Sequence, residues 1–189
     1  MSTVRFQKFW KENFQEYPPI IWILRDLFKE NWVRFYSLPK GKQFPTRPEE
    51  FSTALHRYNE ISNSIFVEHE DIWLILATYT IVDRRFLENS FIPMQKLYYV
   101  GEESITDTHG YIDRIEIYCK EIKWGSYDSS IIYNLIIDES IPQILFISKN
   151  GDMFAPYTGG SDIIIQDTAR LQALRLRFEG WMSDLESGL

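Results

Sequence analysis

QILFISKNGDMFAPYTGGSDIIIQ, residues 143–166, sets two turn signals between three β-rich runs. Gln143–Ser148 is a short apolar strand, and Asn150-Gly151 is the strongest hairpin signal in the chain. An Asn-Gly pair favours a two-residue turn because both central positions of that turn need positive φ. Met153–Tyr157 returns, Thr158-Gly159-Gly160 turns again, and Asp162–Gln166 gives a third strand. Strands joined by tight turns pair antiparallel, so the sheet built around this segment is expected to be mainly antiparallel.

Working outward, a last helix follows Asp167, with Leu171, Leu174, Phe178, Trp181 and Leu185 on one stripe. Upstream, Ser126 or Asp128 would cap a helix carrying Ile131, Ile132, Leu135 and Ile136. Tyr111–Trp124 alternates, with Ile115, Ile117 and Cys119 facing one way, which predicts a half-buried strand. Ile72–Thr80 is apolar without alternating, the pattern of a strand buried on both faces near the middle of a sheet. Gln95–Val100 is a further strand and the polar Glu102–Gly110 a loop.

Phe51, Leu55, Tyr58, Ile61 and Ile65 recur at three or four, a helix ending near Phe66, with Thr46 and Glu49 in capping-box positions. Trp32–Leu38 reads as a strand closed by Pro39. Val4–Glu16 forms a helix through Phe6, Phe9, Trp10 and Phe14, stopped by Pro18-Pro19, and a shorter helix runs from Pro19 to about Lys29. Helices at both ends and strands in clusters predict a single α+β domain over residues 1–189. Its antiparallel sheet is expected to be packed with helices on one face.

Composition narrows the function classes. With 6 Trp, 11 Tyr and 13 Phe in 189 residues, the chain is built to bury a core. No apolar run approaches the ~20 residues of a membrane span. The opening residues carry no signal-peptide pattern and a lone Cys119 fits a reducing compartment, so a soluble cytoplasmic protein is expected. Net charge is −7, unevenly spread. Residues 1–47 hold nine basic against four acidic groups, and residues 48–189 eleven against twenty-three. An acidic body argues against nucleic acid, and would attract a basic protein partner.

Catalytic and metal motifs are sparse. His56, His69 and His109 have no metal-ligand spacing, and Glu68, Glu70 and Asp71 beside His69 read as an exposed acidic helix end. Cys119 points to the apolar side of its strand, where a thiol is inert. Tyr157–Asp162 is glycine-rich but lacks the Lys-Ser/Thr of a P-loop. No catalytic residue, metal or cofactor is therefore assigned. The remaining candidate is the Arg34–Lys42 segment, where Arg34, Tyr36 and Leu38 share a strand face and Lys40, Lys42 and Arg47 add charge beyond it. A guanidinium with nearby lysines suits a carboxylate or phosphate.

Trp32–Phe44 (WVRFYSLPKGKQF) resembles the Trp-x-Arg-Phe/Ile-His-Ser/Ala-Leu-Pro-x-Ser-Lys-Arg-Tyr signature of a bacterial domain family of unknown function. Arg57-Tyr58-Asn59 resembles the Arg-His/Tyr-Asn of that family's next helix, and Gly151–Ile164 its Tyr-His-Pro-Tyr-Asp-Gly-Gly-Ala-Asp-Val-Ile segment. Leu174-Arg175, Trp181, Ser183 and Gly188-Leu189 are similar too, so the likeness spans residues 25–189 and is densest at the ends. It implies no particular reaction. Where the family places histidines, this chain has Tyr36 and Ala155, and neither serves as an acid–base group near neutral pH. Arg34, Lys42, Tyr157 and Asp162 match the pattern.

Three readings follow. A non-catalytic protein-interaction module, of the immunity type that neutralises a toxin by binding it, fits the acidic body and the aromatic content. A small-anion site or enzyme would use Arg34 and Lys42 to hold the anion, with Tyr157 and Asp162 orienting it. A structural homo-oligomer would bury exposed apolar surface against a second copy.

Overall fold

Two helices, α1 (Thr3–Phe14) and α2 (Ile21–Leu27), lead into β1 (Trp32–Tyr36) in the computed structural model, which describes residues 3–79, 97–106, 112–125, 129–137 and 143–182. Then come α3 (Pro48–Ile65), β2 (Asp71–Tyr79), β3 (Tyr98–Thr106) and β4 (Ile112–Lys123). The chain continues through α4 (Ser129–Ile137), β5 (Gln143–Ser148), β6 (Met153–Tyr157), β7 (Gly160–Ile164) and α5 (Thr168–Arg177). The seven strands form one sheet, ordered β1-β7-β6-β5-β2-β4-β3, in which every neighbouring pair is antiparallel. This is an α+β fold with helices at both ends.

β5, β6 and β7 are the expected meander, with one difference at its first turn. Ser148 N–H donates to the Asp152 carbonyl at 2.9 Å and Gly151 N–H to the Ser148 carbonyl at 3.0 Å, so the loop has three residues rather than two. Gly151 alone takes a left-handed φ, +85°, which closes a three-residue loop without Asn150 turning over. β1 then adds to the free edge of β7 in register from Trp32↔Ile164 to Tyr36↔Gly160. A bridge from Phe35 to Met182 brings the chain after α5 back against β1.

β2 lies between β5 and β4, and its two faces explain why its sequence does not alternate. Ile72, Leu74 and Leu76 join a core with α3, α4 and α5, whereas Trp73, Ile75 and Ala77 join a second core with α1 and α2. Helices therefore lie on both faces of the sheet, correcting the one-face expectation. The second layer comes from α1, whose Phe6, Trp10 and Phe14 are all buried. Phe6 packs edge-on to Trp73 at 5.1 Å. Each such ring contributes roughly 1.5–3 kcal/mol by leaving water.

Other boundaries moved for local reasons. Glu50, not Glu49, closes the start of α3, accepting from Thr46 N–H at 2.8 Å, with Pro48 in the first turn. Glu102–Thr106 belongs to β3 rather than a loop, because it pairs with Ile112–Glu116. Asp167 caps α5 as expected, accepting from Ala169 N–H and Arg170 N–H. Gln95, Ser126, Asp128 and Leu185 lie outside the described residues. Among the described residues, no helix is long and apolar enough to cross a membrane.

Candidate functional site

Strand alternation and register build the site. Trp32, Ala155 and Ile164 belong to the core under α1 and α2, so Arg34, Tyr157 and Asp162, two residues along from them, share that face. Asp162 stands opposite Arg34 on one side and Ala155 on the other, while Gly160 stands opposite Tyr36 and Tyr157. Arg34 Nε donates to Asp162 Oδ1 at 2.8 Å and Nη2 to Oδ2 at 2.9 Å. Trp32 Nε1 donates to Oδ1 at 2.9 Å. Arg34 Cζ also lies 5.5 Å from the Trp32 ring centroid and 5.1 Å from that of Tyr157.

Burial opposes the Arg34 charge, but the Asp162 hydrogen bonds and carboxylate outweigh it and hold the guanidinium above its ordinary pKa. Burial also raises the Tyr157 phenol, against the pull of Arg34, and keeps it protonated as a donor. Arg34 is thus held by an internal carboxylate through Nε and Nη2, while the residue also lines the neighbouring cleft.

The other signature residues act mainly as fasteners. Arg57 Nη1 donates to the Tyr36 carbonyl at 2.9 Å, and Tyr58 OH donates to the carbonyls of Tyr157 and Thr158. Ser37 N–H reaches the Gly159 carbonyl at 3.0 Å and Ser37 Oγ the Thr158 carbonyl at 2.8 Å. A Cβ on Gly160 would sit 2.3 Å from the Phe35 carbonyl oxygen, so the glycine pair serves close strand approach rather than phosphate binding. Gly41 rests on the Tyr36 ring, where a Cβ would lie 3.1 Å from Cζ. Lys42 bonds Glu50 at 2.6 Å and Thr46 at 2.9 Å, at the start of α3. Of the five residues singled out in the sequence, Arg34, Tyr157 and Asp162 come together and Tyr36 lies close enough to affect both Arg34 and Tyr157, whereas Lys42 works elsewhere.

Beside this cluster lies a cleft of about 220 Å³, lined by Trp22, Arg25, Arg34, Gln143, Ala155 and Tyr157 among others. Gln143 fixes one wall: its Oε1 accepts from Ile21 N–H at 2.7 Å and its Nε2 donates to the Pro19 carbonyl at 3.0 Å. This pins the start of α2 to β5. Trp22 and Arg25, three apart on α2, face the cleft together, and Arg25 Cζ lies 5.7 Å from the Trp32 ring centroid.

The family model for a domain of unknown function, DUF3885, matches residues 20–186. The chain belongs to the DUF3885 family. The matched span contains every cleft residue and every fastener, while α1 precedes it. No curated protein and no solved structure matches the chain.

Sequence reasoning missed Trp22, Arg25 and Gln143 in this DUF3885 domain. The Trp22/Arg25 spacing was a usable signal, but the role of Gln143 depends on a contact 122 residues away in sequence. Cys119, His56 and His69 do not line the cleft. Cys119 is wholly buried under α1, and burial pushes its thiol up to about 12. His56 packs edge-on to Trp181 at 6.2 Å, His69 is exposed beside Glu68, and His109 lies outside the described residues. Among the described residues, no group of three or more metal-binding side chains occurs.

Proposed function

We propose that this DUF3885 domain is a non-catalytic binding protein for a small anion, held in the cleft between α2 and the β1–β7–β6 edge of the sheet. One observation carries the reading: the charged and amide acceptors of the cleft are largely engaged, while several of its donors are not. The Asp162 carboxylate accepts three hydrogen bonds, and the Gln143 amide is used at both ends. Among the described residues, Arg34 Nη1, both Nη atoms of Arg25 and the Tyr157 hydroxyl have no hydrogen-bond partner. Donors left over at a concave surface suit a ligand that only accepts.

The reading takes the small-anion expectation ahead of a protein partner, with Arg25 in the part first given to Lys42. Thermal denaturation of the full chain against a panel of small organic and inorganic anions tests it. A ligand at a hundredfold its dissociation constant stabilises by about 2.7 kcal/mol, enough to raise the melting temperature measurably. Stabilisation by some anions and not by neutral molecules of the same shape is the expected result. Equal response to both would refute the reading.

A further inference from the structure

Resting on that anion-binding reading, we infer a narrower ligand class: a small monocarboxylate carrying a flat ring, with its carboxylate on Arg25 and Arg34 and its ring against Trp22.

The charge count favours one negative charge over two. Arg25 and Arg34 bring two positive charges to the cleft and Asp162 returns one negative charge, with a side chain only 5% exposed. Asp26 touches Arg25 Nε at 3.3 Å but is 78% exposed, so water screens it. A monoanion neutralises this balance. A dianionic phosphate ester would leave a surplus negative charge next to a buried carboxylate that water cannot screen.

Geometry points the same way. Arg25 and Arg34 line the same cleft, and their guanidinium carbons lie 5.7 and 5.5 Å from the centroid of the Trp32 ring. The two Nη atoms of Arg25 form a planar fork matched to two carboxylate oxygens. Arg34 adds a single donor, Nη1, and Tyr157 a phenol that burial keeps protonated. Ala155, Pro156 and Trp22 supply an apolar wall, and an indole face accepts an offset ring. The volume, about 220 Å³, is below the ~300 Å³ at which drug-sized ligands begin, so a single ring with its acid group is the scale that fits.

Titration calorimetry on the full chain with benzoate, indole-3-carboxylate, cyclohexanecarboxylate, phenyl phosphate and inorganic phosphate tests the inference. Benzoate and indole-3-carboxylate are expected to bind saturably, with the other three weaker. Arg25→Gln is expected to weaken benzoate about tenfold, the loss of charge-assisted hydrogen bonds, while the free protein still unfolds in one cooperative step. Ala155→Leu is expected to abolish binding by filling the cleft floor, and Arg25→Gln keeps the test open if that variant does not fold. Phenyl phosphate binding as tightly as benzoate would overturn the carboxylate class while leaving the anion reading intact. Cyclohexanecarboxylate equal to benzoate would overturn the flat ring. Benzoate binding untouched by Arg25→Gln would place the ligand elsewhere and overturn the site, and failure of every anion would overturn both readings.

Discussion

Arg34 and Asp162 stand directly opposite each other on β1 and β7 and close two parallel hydrogen bonds, of 2.8 and 2.9 Å, across the outermost strand pair at that end of the sheet. With side chains 14% and 5% exposed, the pair is nearly withdrawn from water. Its value lies less in net stability than in what happens when half of it is removed. Asp162→Ala would strand the guanidinium between the Trp32 and Tyr157 rings and orphan Trp32 Nε1, at a cost of about 3–5 kcal/mol. Arg34→Met paired with Asp162→Leu is expected to cost less than Asp162→Ala alone, since no charge is then left buried. Urea unfolding of the three proteins checks this ordering, and a double variant less stable than the single one would refute it.

The two glycines of the β6–β7 turn should separate sharply. A Cβ on Gly160 meets the Phe35 carbonyl oxygen at 2.3 Å, which is backbone of the neighbouring strand and cannot step aside without parting β1 from β7. Gly160→Ala is expected to cost about 3 kcal/mol, the upper range for forced overpacking. A Cβ on Gly159 meets Gln43 Oε1 at 2.1 Å, the far end of an exposed, flexible side chain. Although Gly159 is buried and the Tyr157 ring edge lies 3.1 Å from the added Cβ, only side-chain atoms have to give, so Gly159→Ala is expected to cost about 1 kcal/mol, the lower end for overpacking. Comparable losses in the two variants, measured by denaturant midpoints, would contradict the distinction.

Most of the sheet was readable because periodicity and turn chemistry are local. The unbroken Ile72–Thr80 run announced a central strand, and Asp167 announced a cap, since each signal lies within the element it specifies. The second helical layer was harder to place. Phe6, Trp10 and Phe14 reveal an apolar helical face, but which side of the sheet receives it depends on Trp73, some sixty residues away. The site divides in the same way. Arg34, Tyr157 and Asp162 were visible through the family pattern, whereas the partner of Lys42 is Glu50 and the wall residue Gln143 is recruited by the start of α2. Such pairings depend on tertiary placement that no local pattern encodes.

Ser161 presents the opposite case to Gly160. Its hydroxyl is fully buried on β7 and Oγ has no hydrogen-bond partner. A buried orphan of this kind costs about 1–3 kcal/mol relative to a satisfied one. Ser161→Ala removes the orphan, keeps the small volume, and restores the alanine of the family segment the chain resembles. It is expected to raise stability by about 1 kcal/mol, seen as a higher denaturant midpoint with an unchanged slope. A loss of stability would mean that the hydroxyl is satisfied after all.

Acid should act first through carboxylates clamped by lysine. Asp71, at the start of β2, accepts from Lys149 at 2.9 Å and from Lys123 at 3.0 Å, and these bonds, Lys149 foremost, pull its carboxyl down to about 2. Its unfolded value is near 3.9, so the folded state binds this proton later than the unfolded state does. The stabilisation is therefore fully present above about pH 4 and is lost as pH falls through about 2. Glu50, held well below the usual carboxylate range by Lys42, then by Thr46 N–H and Arg47, adds to the same acid limb. All these groups are partly exposed, so the effect should be modest and should shrink in molar salt. Replacing the acid by Asp71→Asn removes its titration but not the fold. The stability gap between parent and variant is expected to close between pH 4 and pH 2 at low salt, and a gap that stays constant over that range would show that the lysine clamp contributes nothing to folding.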